Sequence, residues 1–383
     1  MGVPVELQQR VLNRLSELET AGLTRRLVPP TGIDLCSNDY LALAMHTLLK
    51  ERMAEAVRQQ GCGATASRLL RGERICFTAL ERDFATFKGT AAALYFTSGY
   101  AANIGVLTTF LEAGDIVFSD QLNHASLIDG IRLSPARCII FPHRDFEMLT
   151  QLLTAEQGTG QKFLVTESLF SMDGDFAPLA KYAALCRVTN TTLIVDEAHA
   201  VGIYGKRGSG LIEAGEIDND VFISINTAGK ALGVSGAFVA GPQWAIDYLV
   251  QRARTLIFST APSPALAAAL AASLELISSE PERRAKLSWL VEQFRKLLEE
   301  NGVAIPADCS QIIPIILGNN TRAMAIADKL RWAGFDVRAI RPPTVAEGTA
   351  RLRLTVNINL EVPTLKSFAS LLARLMRDYA HKV

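Results

Sequence analysis

The sequence predicts an α/β protein, with a larger domain on a mainly parallel, seven-stranded sheet and a smaller α+β domain behind it. Two observations carry this. Between about residues 91 and 240, seven short β-rich runs ("AALYFT", "DIVFSD", "RCIIFP", "KFLVTE", "TTLIVDE", "VFISI", "GAFVAG") alternate with helical stretches such as "ANIGVLTTFLEAG" and "APLAKYAALCRVTN". That alternation is the pattern of a sheet covered by helices on both faces. After about 242 the pattern changes to long helices, followed by the runs "IIPIIL", "FDVRAI" and "ARLRLTV" with helices between and after. The boundaries read as 1–45 for an N-terminal helix and joining segment, 46–275 for the larger domain and 276–383 for the smaller one.

Taken in order, the start "MGVPVELQQRVLNRLSEL" has no apolar signal core and reads as an amphipathic helix, with Leu7, Val11, Leu15 and Leu18 on one face. "TLLKERMAEAVRQQ" reads as a helix, so the glycines of "GCGATA" (61–66), which fit G-x-G-x-x-G/A, follow the wrong element for a dinucleotide site. The Ala-rich "PALAAALAASLELI" is too short to span a bilayer and reads as a packed helix.

Composition excludes several classes. Of 383 residues 49% are hydrophobic, enough for a sizeable core, and Lys+Arg and Asp+Glu are both 39. Balanced charge leaves no electrostatic footprint for nucleic acid or an anionic membrane. The six cysteines (36, 62, 76, 138, 186, 309) form no C-x-x-C pair, so neither a zinc site nor a disulfide framework follows. They suit a reduced, cytosolic protein, and Cys62 reads as a small buried filler.

The letters DEAH in "TTLIVDEAHAVG" (191–202) also mark a class of helicases. Those need a phosphate loop G-x-x-x-x-G-K-[ST]. Of the two Gly-Lys pairs, Gly205-Lys206 and Gly229-Lys230, neither has the earlier glycine, since Ala200 and Ser224 stand there.

In open α/β sheets ligands bind beyond the carboxyl ends of the strands. Four strand ends carry polar groups here. Asp196 closes one strand, and His199 follows a turn later. Lys230 lies among small residues after "VFISI". Ser98, Gly99 and Tyr100 open a helix after "AALYFT", and His124 follows "DIVFSD". Taken singly these are a surface lysine, an N-cap serine and a capping aspartate. Together they suit pyridoxal phosphate. A lysine forms the Schiff base with its aldehyde, a carboxylate keeps the pyridine nitrogen protonated, a helix N-terminus takes the phosphate, and a flat ring stacks on the cofactor.

At this point the sequence resembles the pyridoxal-phosphate α-oxoamine synthases, acyltransferases of aminotransferase fold type I. The resemblance runs from about residue 22 to the C-terminus. It rests on "SNDYLAL" (37–43), "FTSGYAAN" (96–103), "NHASLIDG" (123–130), "ESLFSMDGDFAPL" (167–179), "VDEAHAVGIYGKRGSG" (195–210), "GKALGVSGAFV" (229–239) and "AIRPPTVAEGTARLRLT" (339–355), the last being the most discriminating. "GCGATASRLLRG" departs from the family, which more often has Ser or Gly at the positions of Cys62 and Thr65.

The resemblance implies a role for each matching residue. Lys230 is the Schiff-base lysine, Asp196 the partner of the pyridinium nitrogen and His199 a contact of the ring's 3-oxygen. His124 stacks on the ring and assists proton transfer. Ser98 opens the phosphate-binding helix, Gly99 and Tyr100 supply amides near the phosphate, and Thr227 supplies a hydroxyl. Ser171 lines the cofactor pocket, unless it only caps a turn. Arg353 holds the amino-acid carboxylate. Thr344, if more than a residue of the Pro-Pro turn, meets the acyl substrate together with an arginine of "GLTRRL", where Arg25 is taken over Arg26. Ser259 and Thr260 reach the neighbouring subunit's phosphate in a homodimer. The activity implied is a decarboxylative condensation of L-alanine with a pimeloyl thioester in biotin biosynthesis, in the cytoplasm and without a metal. A sibling using glycine and an acetyl donor is the alternative. Whether coenzyme A or an acyl carrier protein bears the acyl group stays open.

Overall fold

The computed structural model describes residues 5–379. These fall into two units, a larger one of Asn38–Ser171 and Asp175–Leu287, and a smaller one of the described parts of Met1–Ser37, Met172–Gly174 and Ser288–Val383.

The chain opens with α1 (Val5–Thr20) and the short β1 (Ile33–Asp34), both in the smaller unit. α1 is helical where the apolar spacing predicts it, yet none of its residues is buried in the single chain. The larger unit begins with α2 (Thr47–Gln60) and α3 (Ile75–Lys88) and continues with β2 (Ala92–Phe96) and α4 (Gly99–Phe110). Next come β3 (Ile116–Asp120), α5 (Ala125–Leu133), β4 (Arg137–Phe141) and α6 (Phe146–Ala155). β5 (Lys162–Glu167), α7 (Leu179–Thr189), β6 (Thr191–Asp196) and the short α8 (Leu211–Ala214) follow. β7 (Val221–Thr227) and β8 (Ala237–Gly241) complete the strands, and α9 (Gln243–Arg252), α10 (Arg254–Ile257) and α11 (Pro264–Ser279) complete the unit.

The seven strands lie in the order β2-β8-β7-β6-β5-β3-β4. Neighbours from β7 through β4 are parallel, and β8 is antiparallel to both β7 and β2. The reversal has a local cause: β7 and β8 are joined by a tight connection with no helix, and a parallel return needs a crossover. Successive side chains on a strand face opposite ways, and here both ways are buried. Val117, Phe163, Val165, Ile194, Ile223 and Ile225 pack with Val106, Leu107, Leu127 and Leu249 of α4, α5 and α9. Ile116, Phe118, Leu164, Leu193 and Val195 pack with Leu149, Leu153, Tyr182 and Ala183 of α6 and α7. At about 1.5–3 kcal/mol for each large apolar side chain fully buried, these two layers are the main source of the unit's stability.

α11 packs on α2 and α3 and belongs to the larger unit, so the second boundary falls inside α12 (Glu282–Glu300), later than residue 275. In the smaller unit β9 (Ile312–Gly318), α13 (Asn320–Trp332), β10 (Phe335–Asp336), β11 (Ala339–Ile340), β12 (Ala350–Thr355) and α14 (Val362–Asp378) follow. The run "FDVRAI" divides: β10 pairs with β1, and β11 joins the antiparallel order β11-β12-β9. Cys62 is exposed rather than buried, because it follows the exposed helix end at Gly61.

Candidate active site

Strand parity places the polar strand ends. Ile194 and Ile225 face the α4 layer, so Asp196 and Thr227, two residues further on, face it too. Val165 sets the same side for Glu167, which lies opposite Asp196 in the ladder. Three parallel strands thus deliver a glutamate, an aspartate and a hydroxyl to one edge, under the first turn of α4.

That turn is built for close approach. The Ser98 hydroxyl caps it by accepting the Ala101 N–H at 3.1 Å. A Cβ on Gly99 would lie 3.4 Å from the Thr227 hydroxyl oxygen. Asn103, one turn after Gly99, donates to Asp196 Oδ2 at 2.7 Å and to Ser126 Oγ at 2.9 Å. The other Asp196 oxygen accepts the Ala198 N–H at 2.8 Å.

Ser126 passes this chain to His124, the N-cap of α5. The two side chains are 2.7 Å apart, and His124 Nδ1 also accepts the Ser126 backbone N–H at 3.2 Å. An accepting Nδ1 leaves the ring proton of neutral His124 on Nε2. Burial lowers the proton affinity of His124; Asp196 opposes that and Lys230 reinforces it. Glu167 is pushed well above the usual carboxyl range, first by burial and then by the negative charge of Asp196.

Lys230 is held by its turn. Ala228 N–H donates to Gly236 O, Gly233 N–H to Lys230 O and Val234 N–H to Ala228 O. Its Nζ lies 2.7 Å from His199 Nε2, and His199 Nδ1 lies 2.6 Å from the Tyr40 hydroxyl. The motif "DEAH" therefore splits its tasks. Asp196 and His199 face the site, whereas fully buried Glu197 binds the Lys88 ammonium and the backbone N–H groups of Leu211 and Ile212.

Tyr100 is 44% exposed and donates its hydroxyl proton to Asp129, so it is not a packed core residue. Ser171 is half-buried at a turn after Phe170. Ser259 is half-buried and Thr260 exposed, beside Arg68, Tyr95 and Thr97. In the smaller unit Arg25, Arg26, Arg338, Arg341 and Thr344 line one cavity of about 690 Å³. Arg25 donates to Pro342 O at 3.1 Å, and Arg341 to Gly22 O and, at 3.0 Å, to Thr24 O. Burial and then the charge of Arg25 lower the proton affinity of Arg341. Arg353 is buried on β12, with Nη1 3.0 Å from the Thr355 hydroxyl.

Sequence reasoning missed Tyr40, Asn103, Ser126, Glu167 and Arg341. Two signals were available. Asn103 stands four residues after Gly99, on the same helix face, and Glu167 closes its strand as Asp196 closes the next.

The chain matches the family Aminotransferase class I and II over residues 30–370. It is 41% identical over 388 residues to 8-amino-7-oxononanoate synthase of Geobacter sulfurreducens, covering 97% of this chain and 99% of that protein. It is 45% identical over 326 residues to the enzyme of that name from Marinobacter nauticus, covering 85% and 82%. The crystal structure of 8-amino-7-oxononanoate synthase from Francisella tularensis superposes with a TM-score of 0.79 at 30% identity, over 91% of this chain and 99% of that one. Serine palmitoyltransferase of Sphingomonas wittichii superposes with a TM-score of 0.90 at 26% identity, over 99% of each chain. The chain belongs to the class I and II aminotransferase family and, within it, to the 8-amino-7-oxononanoate synthase family of biotin biosynthesis, pyridoxal-phosphate-dependent acyltransferases of fold type I. The residues present fit that cofactor. A lysine amine, a buried aspartate with both oxygens engaged, an open glycine turn beside a hydroxyl, and a flat imidazole meet at one sheet edge, and Asn103 keeps a buried carbonyl oxygen with no partner there.

Proposed function

We propose that this protein condenses L-alanine with a pimeloyl thioester, releasing carbon dioxide and the free thiol and giving 8-amino-7-oxononanoate. The observation that carries the reading is the placement of Lys230 against His199 beside a buried Asp196 fixed by Asn103. Pyridoxal phosphate, when bound, supplies an electron sink for the carbanion formed at the alanine Cα. Lys230 holds the cofactor, and its Nζ, once freed, takes the Cα proton and later returns one. Asp196 serves the ring nitrogen as the anion that keeps it protonated. His199 serves the ring oxygen, and His124 offers a neutral ring face with its proton on Nε2. Ser98, Gly99, Tyr100 and Thr227 serve the phosphate at the α4 N-terminus, where free N–H groups favour an anion, and Ser171 lines the pocket.

In the smaller unit Arg353 takes the alanine carboxylate. Arg25 and Thr344 serve the acyl group, whose far end carries a carboxylate suited to the arginine-lined cavity. The protein works in the cytosol as a homodimer, with Ser259 and Thr260 of one chain serving the phosphate in the other's site. Assay of the purified protein with alanine or glycine against pimeloyl and acetyl thioesters, on coenzyme A and on acyl carrier protein, tests this. Formation of 8-amino-7-oxononanoate by mass spectrometry is expected. Turnover of glycine with an acetyl donor alone would overturn it.

A further inference from the structure

We infer that Tyr40 is a positioning residue that sets the tautomer of His199 and thereby the acceptor that Lys230 meets. The inference rests on the reading of Lys230 as the cofactor lysine. Tyr40 is fully buried, although its segment "SNDYLAL" is a loop between β1 and α2. Two features hold that loop still. The Asp39 carboxylate accepts the N–H groups of Leu43 at 2.9 Å and Ala44 at 3.2 Å. The backbone of Leu43 and Ala44 then packs against Gly233, in the same turn as Lys230; a Cβ on Gly233 would come within 2.6 Å of Ala44 N. Loop and lysine turn are thus built against each other.

The tautomer follows from counting protons. A tyrosine hydroxyl has one to give. It goes to Asn38 Oδ1, 3.0 Å away. Toward His199 Nδ1, at 2.6 Å, the phenolic oxygen is therefore the acceptor, and Nδ1 carries the hydrogen. Neutral His199 then presents a bare Nε2 to Lys230 Nζ, which donates to it across 2.7 Å. A free imidazole prefers its proton on Nε2, so the Nδ1–H form has to be imposed. Tyr40 is the group placed to impose it, and its ring, 6.2 Å from the imidazole between centroids, restricts the plane as well.

The test uses the full chain and Tyr40→Phe, which keeps the ring and removes the hydroxyl. With ¹⁵N-histidine labelling, the five histidines of the sequence give few enough signals to assign by a His199→Asn control. In the cofactor-free chain at neutral pH, His199 is expected with a protonated Nδ1 and a bare Nε2, and Tyr40→Phe should shift it toward the Nε2–H form. In the holoenzyme, Tyr40→Phe should lower kcat about tenfold, equal to about 1.4 kcal/mol, with KM nearly unchanged. The pH midpoint of the visible cofactor band should also move. A wild-type His199 already in the Nε2–H form, or the same tautomer in both proteins, would overturn the inference whatever the activity. Failure of wild-type protein to develop a visible band with pyridoxal phosphate would instead sink the reading of Lys230, and the NMR comparison would still decide Tyr40.

Discussion

The strand-end site of the larger unit and the arginine cavity of the smaller one solve opposite electrostatic problems. At the strand ends the aspartate and both histidines are already engaged by neighbouring side chains. Asp196 is bonded to Asn103 and Ala198, His124 to Ser126, and His199 lies between Tyr40 and Lys230. In the cavity Arg25 donates to a backbone carbonyl, Arg341 donates to two backbone carbonyls and to Met324 Sδ at 2.9 Å, and among the described residues neither forms a salt bridge with a carboxylate. The first arrangement is preorganised to hold fixed charges around a resident group. The second is a cationic pair short of its anion, a place for something that arrives and leaves. On the function proposed above, the larger unit would carry the chemistry, and the smaller one would select a carboxylate-bearing substrate.

The comparison can be broken by substitution, with the largest effect at the strand ends. Asp196→Asn should keep some cofactor and lose roughly a hundredfold or more in kcat, since an uncompensated loss of this kind costs about 3–5 kcal/mol and each 1.36 kcal/mol is tenfold. Near wild-type turnover in steady-state assays would show that another group serves the ring nitrogen. Next in size is complementation. A Lys230→Ala chain mixed with a Ser259→Ala, Thr260→Ala chain, each weak alone, should regain activity through heterodimers in which one site carries both defects and the other neither. No recovery in proven heterodimers would leave each chain working alone.

In the cavity, Arg25→Ala should raise KM for the acyl donor about tenfold, the size of one charge-assisted contact, and leave KM for alanine nearly unchanged. The same loss on Arg26→Ala instead would reassign the contact within "GLTRRL". The smallest effect is on stability. His143 is bound by Asp120 at 2.8 Å and Asp175 at 3.0 Å. Burial opposes its charge, yet those partners raise it from 6.5 to about 9. A raised histidine stabilises the fold fully below its unfolded value and ceases to as pH climbs through the folded one. The stability advantage of wild type over His143→Gln in urea unfolding should therefore be largest near pH 6 and fade toward pH 9.5. An advantage that grows with pH would contradict the charged pairing.

The strands and the lysine turn were legible because local rules govern them. All seven β-rich runs became β2 to β8, and "TLLKERMAEAVRQQ" is α2 residue for residue. The strand order was not legible, since pairing β2 with β8 joins residues far apart in the chain. Nor was the division of "FDVRAI" between two partners, because two-residue strands carry no periodicity of their own. At the site, Lys230, Asp196, His199 and His124 announce themselves as polar groups at strand ends. Tyr40, Asn103 and Ser126 do not, since a buried tyrosine in a loop or an amide in a helix reads as packing until its partner is in place.

Among all the lysines, Lys230 is the one proposed to hold the cofactor. Borohydride reduction of the protein with pyridoxal phosphate, followed by peptide mapping, tests it most directly. A single pyridoxyl label on Lys230, absent from Lys230→Ala, is expected. A label on Lys206, or on Lys88 despite its burial against Glu197, would contradict it.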